Sequence, residues 1–177
     1  MAIAETDLIW RLSGGAANTS AAASLGGAMS TVGGGIITKT KTFNSMFDDI
    51  SGAEAAAGDV EYRGIYITNV HATLGLTTPK VWIETNAANA NDMIDIGLDL
   101  AGVDATMDDI ADESTAPSPA VTFGHACTTY ATGLALSATL TASTGKAGIW
   151  IRRTITAAMT ADDDEWFTLK VQGDTAA

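Results

Sequence analysis

Across residues 61 to 84, apolar side chains recur at every second position. Ile65 and Ile67 flank Tyr66, and Val81 and Ile83 flank Trp82. That is the period of extended chain, in which successive side chains point to opposite faces. The stretch predicts two strands joined by a connection containing Gly75 and Pro79. The pattern returns in residues 93–100, where Ile94, Ile96, Leu98 and Leu100 alternate with Asp95, Gly97 and Asp99, predicting a half-buried strand with an acidic outer face. Residues 121–123, 133–141, 148–156 and 166–172 read as further strands, and 86–92, 143–146 and 161–165 as polar turns. Residues 102–119, rich in Asp, Ala, Ser and Pro, read as a long surface excursion. No stretch carries the spacing of a long helix. The expectation is an all-β fold, a β-sandwich or jelly roll of about seven to eight strands.

Before residue 43 the alternation disappears. Glycine pairs and a triplet (Gly33, Gly34, Gly35) sit among Ala, Ser and Thr, and the apolar cluster is Leu8, Ile9, Trp10 and Leu12. Such a segment buries too little to offset its chain entropy by itself. It predicts an extended Gly/Ala/Ser-rich arm over residues 1–42, separable from a sandwich domain over 43–177 and ordered by a neighbouring subunit. Asn44 is the candidate cap of a single helical turn that tucks Met46, Phe47 and Ile50 inward, with Ser51 and Gly52 ending it.

Charge narrows the partners. The 177 residues carry 21 acidic and 9 basic side chains, a net charge of −12. That field repels phosphate backbones and anionic membrane surfaces, so neither nucleic acid nor membrane is an expected partner. The start of the chain places acids where a signal peptide has its basic region, and no segment approaches the length of a membrane span. A single cysteine, Cys127, excludes an intrachain disulfide.

Candidate chemistry is sparse. His125, Cys127 and Tyr130 lie close in sequence, but a nucleophile–base pair needs a contact set by the fold and a third orienting group. A buried thiol and a loop histidine explain them as well. Asp48, Asp49, Glu54 and Asp59 lack the alternating spacing of a cation loop and read as solvated turn carboxylates. Asp104, Asp108, Asp109, Asp112 and Glu113 could hold a hard cation, which takes several oxygen ligands, although a charged, solvated loop is the commoner case. The glycine triplet is followed by Ile36, Ile37 and Thr38, not by the Gly-Lys-Ser/Thr ending of a phosphate cradle. The expectation is no catalytic, cofactor or metal site and a protein that is not an enzyme.

Four aromatics stand on the strand face opposite the local aliphatic set: Tyr66, Trp82, Trp150 and Trp166. If the aliphatics fill the core, these rings point outward beside Arg152 as anchors of a protein interface. The alternative has them packed inward under a second layer, with Arg152 stacked over a ring. With Leu8, Ile9, Trp10 and Leu12 of the arm, the outward set Tyr66, Trp82, Trp150, Arg152 and Trp166 makes the candidate partner-binding surface.

Residues 47–54 (FDDISGAE), 58–63 (GDVEYR) with Ile65, Tyr66 and Ile67, and 69–74 (NVHATL) resemble a family of tailed-bacteriophage virion structural proteins. Residues 149–154 (IWIRRT), 167–169, 173–175 and the opening 12–19 (LSGGAANT) with 24–27 are similar to the same family. The likeness spans most of the chain and transfers no catalytic residue. It implies a virion protein made in the host cytoplasm, here a capsid decoration (cement) protein on the outer capsid surface. Its partners would be the major capsid protein and further copies of itself, as a trimer or dimer. The alternatives are a tail, neck or fibre protein of the virion, or a carbohydrate-binding β-sandwich module with Trp82, Trp150 or Trp166 as sugar platforms.

Overall fold

The computed structural model describes residues 2–38, 45–124, 128–160 and 166–175. The strands among them are β1 (Leu8–Leu12), β2 (Gly26–Gly27), β3 (Asp59–Asn69), β4 (Leu76–Thr85), β5 (Asp92–Val103), β6 (Met107–Asp109), β7 (Leu134–Ala135), β8 (Lys146–Ile155) and β9 (Thr168–Thr175). One short helix, α1 (Gly52–Ala57), precedes β3. The fold is all-β. Its sheets are antiparallel, with strand orders β1-β3-β8-β5, β7-β4-β9 and β2-β6.

The main core lies between the two larger sheets. Ile65 and Ile67 of β3, Ile149 and Ile151 of β8, and Ile94 and Ile96 of β5 share it with Leu76, Val81 and Ile83 of β4. Leu169 and Val171 of β9 pack against its margin. Each fully buried aliphatic here stabilises by about 1.5–3 kcal/mol, and β-branched side chains suit the pleated surface.

The opposite face of the four-stranded sheet is also covered. Tyr62, Tyr66 and Trp150 are buried there with Met107 and Ile110, and Leu25, Met29, Val121 and Phe123 pack over them. Glycines make the room. Gly64 and Gly97 lie across from Trp150, and Gly148 across from Tyr66. A Cβ at Gly64 would stand 3.0 Å from the Gly26 backbone nitrogen, and one at Gly97 only 2.8 Å from the Thr122 carbonyl oxygen. Omitting that carbon lets an irregular backbone lie directly on the sheet.

Much of that covering layer is the expected arm, and the expectation is corrected. β1 pairs with β3 from Leu8 opposite Asn69 to Leu12 opposite Ile65. Residues 13–38 then return over the sheet, with the Gly14 N–H donating to Gly26 O (2.6 Å), Ser30 N–H to Leu12 O (2.8 Å) and Ile37 N–H to Trp10 O (2.9 Å). Ser13, Ser24 and Ser30 are buried. The Ser13 hydroxyl accepts from Gly26 N–H and the Ser30 hydroxyl donates to Asn18 O. A ledger of apolar side chains overlooks this, because the segment is held on the sheet largely by its own backbone and serine hydrogen bonds, with Leu25 and Met29 as its large apolar contacts to that face. The boundary at 42/43 lies outside the described residues, but the N-terminal segment is no separable arm: its removal would strip an edge strand.

Other expectations shift locally. β3 and β4 belong to different sheets, and Pro79 lies within β4, where pairing with β9 is irregular between Thr77 and Lys80. Asp95 and Asp99, expected on an acidic outer face, are buried beneath the covering layer. The stretch 133–141 contributes only Leu134–Ala135 as strand, and 121–123 forms none, although Gly124 bridges to Ile96. Ser51 does not end a helix; it starts one. Its hydroxyl accepts from Glu54 N–H while the Glu54 carboxylate accepts from Ser51 N–H, a capping box at the head of α1. Asn44, His125, Cys127 and the turn 161–165 lie outside the described residues.

Candidate functional site

The candidate partner residues divide into buried and accessible groups. Leu8 and Leu12 are core residues, Trp10 packs half-buried against that core, and Ile9 is half-buried opposite Thr68. Tyr66 and Trp150 are fully buried. The Tyr66 hydroxyl donates to Gly27 O at 2.6 Å and accepts from Met107 N–H at 2.7 Å, so one phenol ties β2 to β6. The Trp150 indole N–H donates to Asp99 Oδ2 at 2.8 Å. Trp82 is buried and meets Tyr130 edge-on, ring centroids 6.1 Å apart. Arg152 donates to Asp95 and lies over the Phe123 ring at 4.7 Å. The outward reading of Tyr66, Trp82 and Trp150 is therefore corrected. For Tyr66 and Trp150 that face is not solvent but the underside of a second layer, which the alternation within a strand cannot reveal. Trp82, on β4 of the other sheet, instead packs against Tyr130 and reaches the wall of the cleft that Trp166 lines.

Trp166 differs, being 46% exposed. It lines a cleft of about 850 Å³ together with Trp10, Met46, Phe47, Phe167 and Val171. Opposite ends of the sequence meet there, and the cleft gathers the candidate aromatics that keep accessible surface.

One wall of this cleft leads to a buried charge cluster. β3, β8 and β5 carry Glu61, Arg63, Arg153 and Asp92 at the inward positions that, further along each strand, hold isoleucine. Arg153 grips Asp92 with two hydrogen bonds, Nε to Oδ1 at 3.0 Å and Nη2 to Oδ2 at 2.9 Å, and donates from Nη1 to the Asp48 carbonyl at 2.8 Å. Arg63 pairs with Glu113, whose backbone carbonyl accepts from Tyr62 N–H at 2.7 Å. The Phe47 ring lies under both guanidiniums, 5.4 Å from Arg63 and 5.7 Å from Arg153.

Glu61 is the anomalous member. Its side chain is only 4% exposed, and Arg153 Nη1 stands 3.6 Å from Oε2, an ion pair without a hydrogen bond. Among the described residues, nothing donates a hydrogen bond to Oε2. Burial pushes the Glu61 carboxyl up to about 7 against the pull of Arg153 and Arg63. Burial alone would lower Arg153, but its bonds to Asp92 and the charges of Asp92, Glu61 and Asp48 outweigh that and raise it.

The sequence reading missed this cluster, although a signal was present. Glu61 and Arg63 share the parity of Ile65 and Ile67, and Arg153 that of Ile149 and Ile151. Charged residues at inward strand positions announce a paired interior network. Comparison with protein-family models, with curated proteins and with solved structures finds no match for this chain.

Proposed function

We propose that this chain is a structural protein of a tailed-phage virion that decorates the capsid and bridges neighbouring major capsid subunits. The observation that carries the reading is the cleft holding Trp10 and Trp166, rings of the type that dominate binding energy at protein interfaces. A scaffold with both faces of its main sheet buried suits a load-bearing role, because packed interiors transmit strain rather than absorb it. The net charge of −12 suits an outer surface away from packaged DNA. The resemblance of the sequence to virion structural proteins points the same way. Bridging would act through the cleft rather than through a free arm, since β1 is committed to its own sheet. Repetition over a lattice turns weak contacts into firm attachment. The sugar-binding alternative loses two of its three platforms, because Trp82 and Trp150 are buried.

Quantitative mass spectrometry of purified particles tests the proposal. A copy number close to that of the major capsid protein is the expected result. A few or tens of copies would transfer the protein to neck, tail or fibre, and absence from particles would overturn the virion reading.

A further inference from the structure

Glu61, Asp48 and Glu113 come from three separate parts of the chain: β3, the segment before α1, and the segment after β6. One carboxylate oxygen from each lies within 4.8 Å of the other two. Oxygens that share one Ca²⁺ at about 2.3–2.6 Å stand at most about 4.6–5.2 Å apart, so this spacing is compatible with a shared ion. The arginines do not use these groups up. Arg63 takes Glu113 through Oε2, Arg153 is bidentate on Asp92, and neither donates a hydrogen bond to Glu61 Oε2. Four carboxylates (Asp48, Glu61, Asp92 and Glu113) thus surround two guanidiniums, an excess that one divalent cation would neutralise.

An acidic cluster alone would signify little, since solvated turn carboxylates are common. Here an independent observation bears on it. Glu61 is 3% exposed, and among the described residues no group donates a hydrogen bond to its Oε2, which only faces Arg153 Nη1 at 3.6 Å. Buried acceptors are nearly always satisfied by protein, water or an ion. Asp48 and the half-exposed Glu113 open the same spot to solvent, giving an ion an entry path and water ligands to complete its shell.

We propose that Glu61, Asp48 and Glu113 bind a hard divalent cation of the calcium class, fastening the segment before α1 and the segment after β6 to β3. Three carboxylates on independent elements favour calcium over magnesium, which demands near-ideal octahedral geometry at shorter range. The site is independent of the virion reading and would stand if that reading fell.

The test is calorimetric titration of Ca²⁺ into the chelator-stripped full chain, with thermal unfolding in parallel. Expected are one binding event per chain and a raised unfolding midpoint, since a ligand that binds only the folded state stabilises it. Asp48→Asn changes an exposed residue and should leave the fold intact while weakening Ca²⁺ binding at least about tenfold, the equivalent of losing one charged ligand. Glu61→Gln, of the same shape, should abolish binding. Absence of Ca²⁺ binding to the wild-type chain, or unchanged affinity in folded Asp48→Asn, would overturn the site. An equal response to Mg²⁺ would overturn the preference for calcium.

Discussion

The two faces of the four-stranded sheet are built by different means. One is aliphatic and meets a second sheet, so regular strands close it with Ile, Val and Leu. The other pairs large rings with glycines and is closed by irregular chain from residues 13–38 and 104–124. On the first face, stability depends on volume, which isoleucine and valine nearly share. On the second it depends on particular atoms: the Tyr66 hydroxyl, the Trp150 indole N–H and the missing Cβ of Gly64, Gly97 and Gly148. The difference teaches that a strand face without an aliphatic pattern can be interior.

Removing the largest ring gives the strongest test. Trp150→Ala should cost about 3–5 kcal/mol in denaturant unfolding, through the cavity it leaves and the Asp99 carboxylate it strands. Ile151→Val on the aliphatic face should cost about 0.5–1.5 kcal/mol. Comparable losses from the two would mean the covering layer contributes little, and the contrast between faces would collapse. Tyr66→Phe comes next. It keeps the ring but leaves Gly27 O and Met107 N–H unsatisfied, a cost of about 1–3 kcal/mol. Hydrogen exchange of the β2–β6 amides should accelerate in step. A Phe variant as stable as the wild type would show that the ring's volume, not its hydroxyl, holds the layer.

Legibility in the sequence divides along the same line. β3, β5, β8 and β9 were readable because apolar residues alternate there, and alternation is the direct imprint of a two-faced strand. β1 was readable as an apolar cluster but not as a strand, since five residues between glycine runs give no period. The second layer was illegible because backbone hydrogen bonds and buried serines hold much of it, and its apolar residues (Leu25, Met29, Met107, Ile110, Val121 and Phe123) are scattered without a strand period. Of the site, Trp166 was placed outward as found, whereas Tyr66, Trp82 and Trp150 were not. The charge cluster was legible in principle, from Glu61 and Arg63 standing in phase with Ile65 and Ile67, but its partners Asp48 and Glu113 meet only in three dimensions.

The cluster also gives the aliphatic face a polar end whose contribution depends on pH. Below about 4.5, Glu61 is protonated in both the folded and the unfolded chain, so its burial has no electrostatic cost. In the folded state its pKa is raised to about 7, so between those values the unfolded chain ionises while the folded chain retains the proton. The folded state therefore loses stability as pH rises through this window. In chelator, the stability of Glu61→Gln relative to wild type should rise from pH 4.5 to pH 7 and then level off. The loss of the Arg153 ion pair sets the offset of that curve, not its slope. A flat or falling difference would mean that Glu61 is already ionised in the fold and that the polar end is electrostatically neutral.

Trp166 belongs to neither buried face, and the smallest effect is expected there. The residue is 46% exposed at the margin of the cleft, so Trp166→Ala should change unfolding stability by no more than about 0.5 kcal/mol, as for other surface positions. On the capsid-decoration proposal, the same substitution should weaken attachment to capsids lacking this protein, measured by cosedimentation, because an accessible tryptophan in a cleft is worth more to a partner than to its own fold. The two readouts decide between three arrangements. Stability unchanged with attachment lost makes the cleft an interface. A stability loss approaching that of Trp150→Ala would make Trp166 part of a third packed face, and the two-face description would have to be extended. Both readouts unchanged would remove Trp166 from the partner surface and leave Trp10 as the next candidate aromatic of the cleft to test.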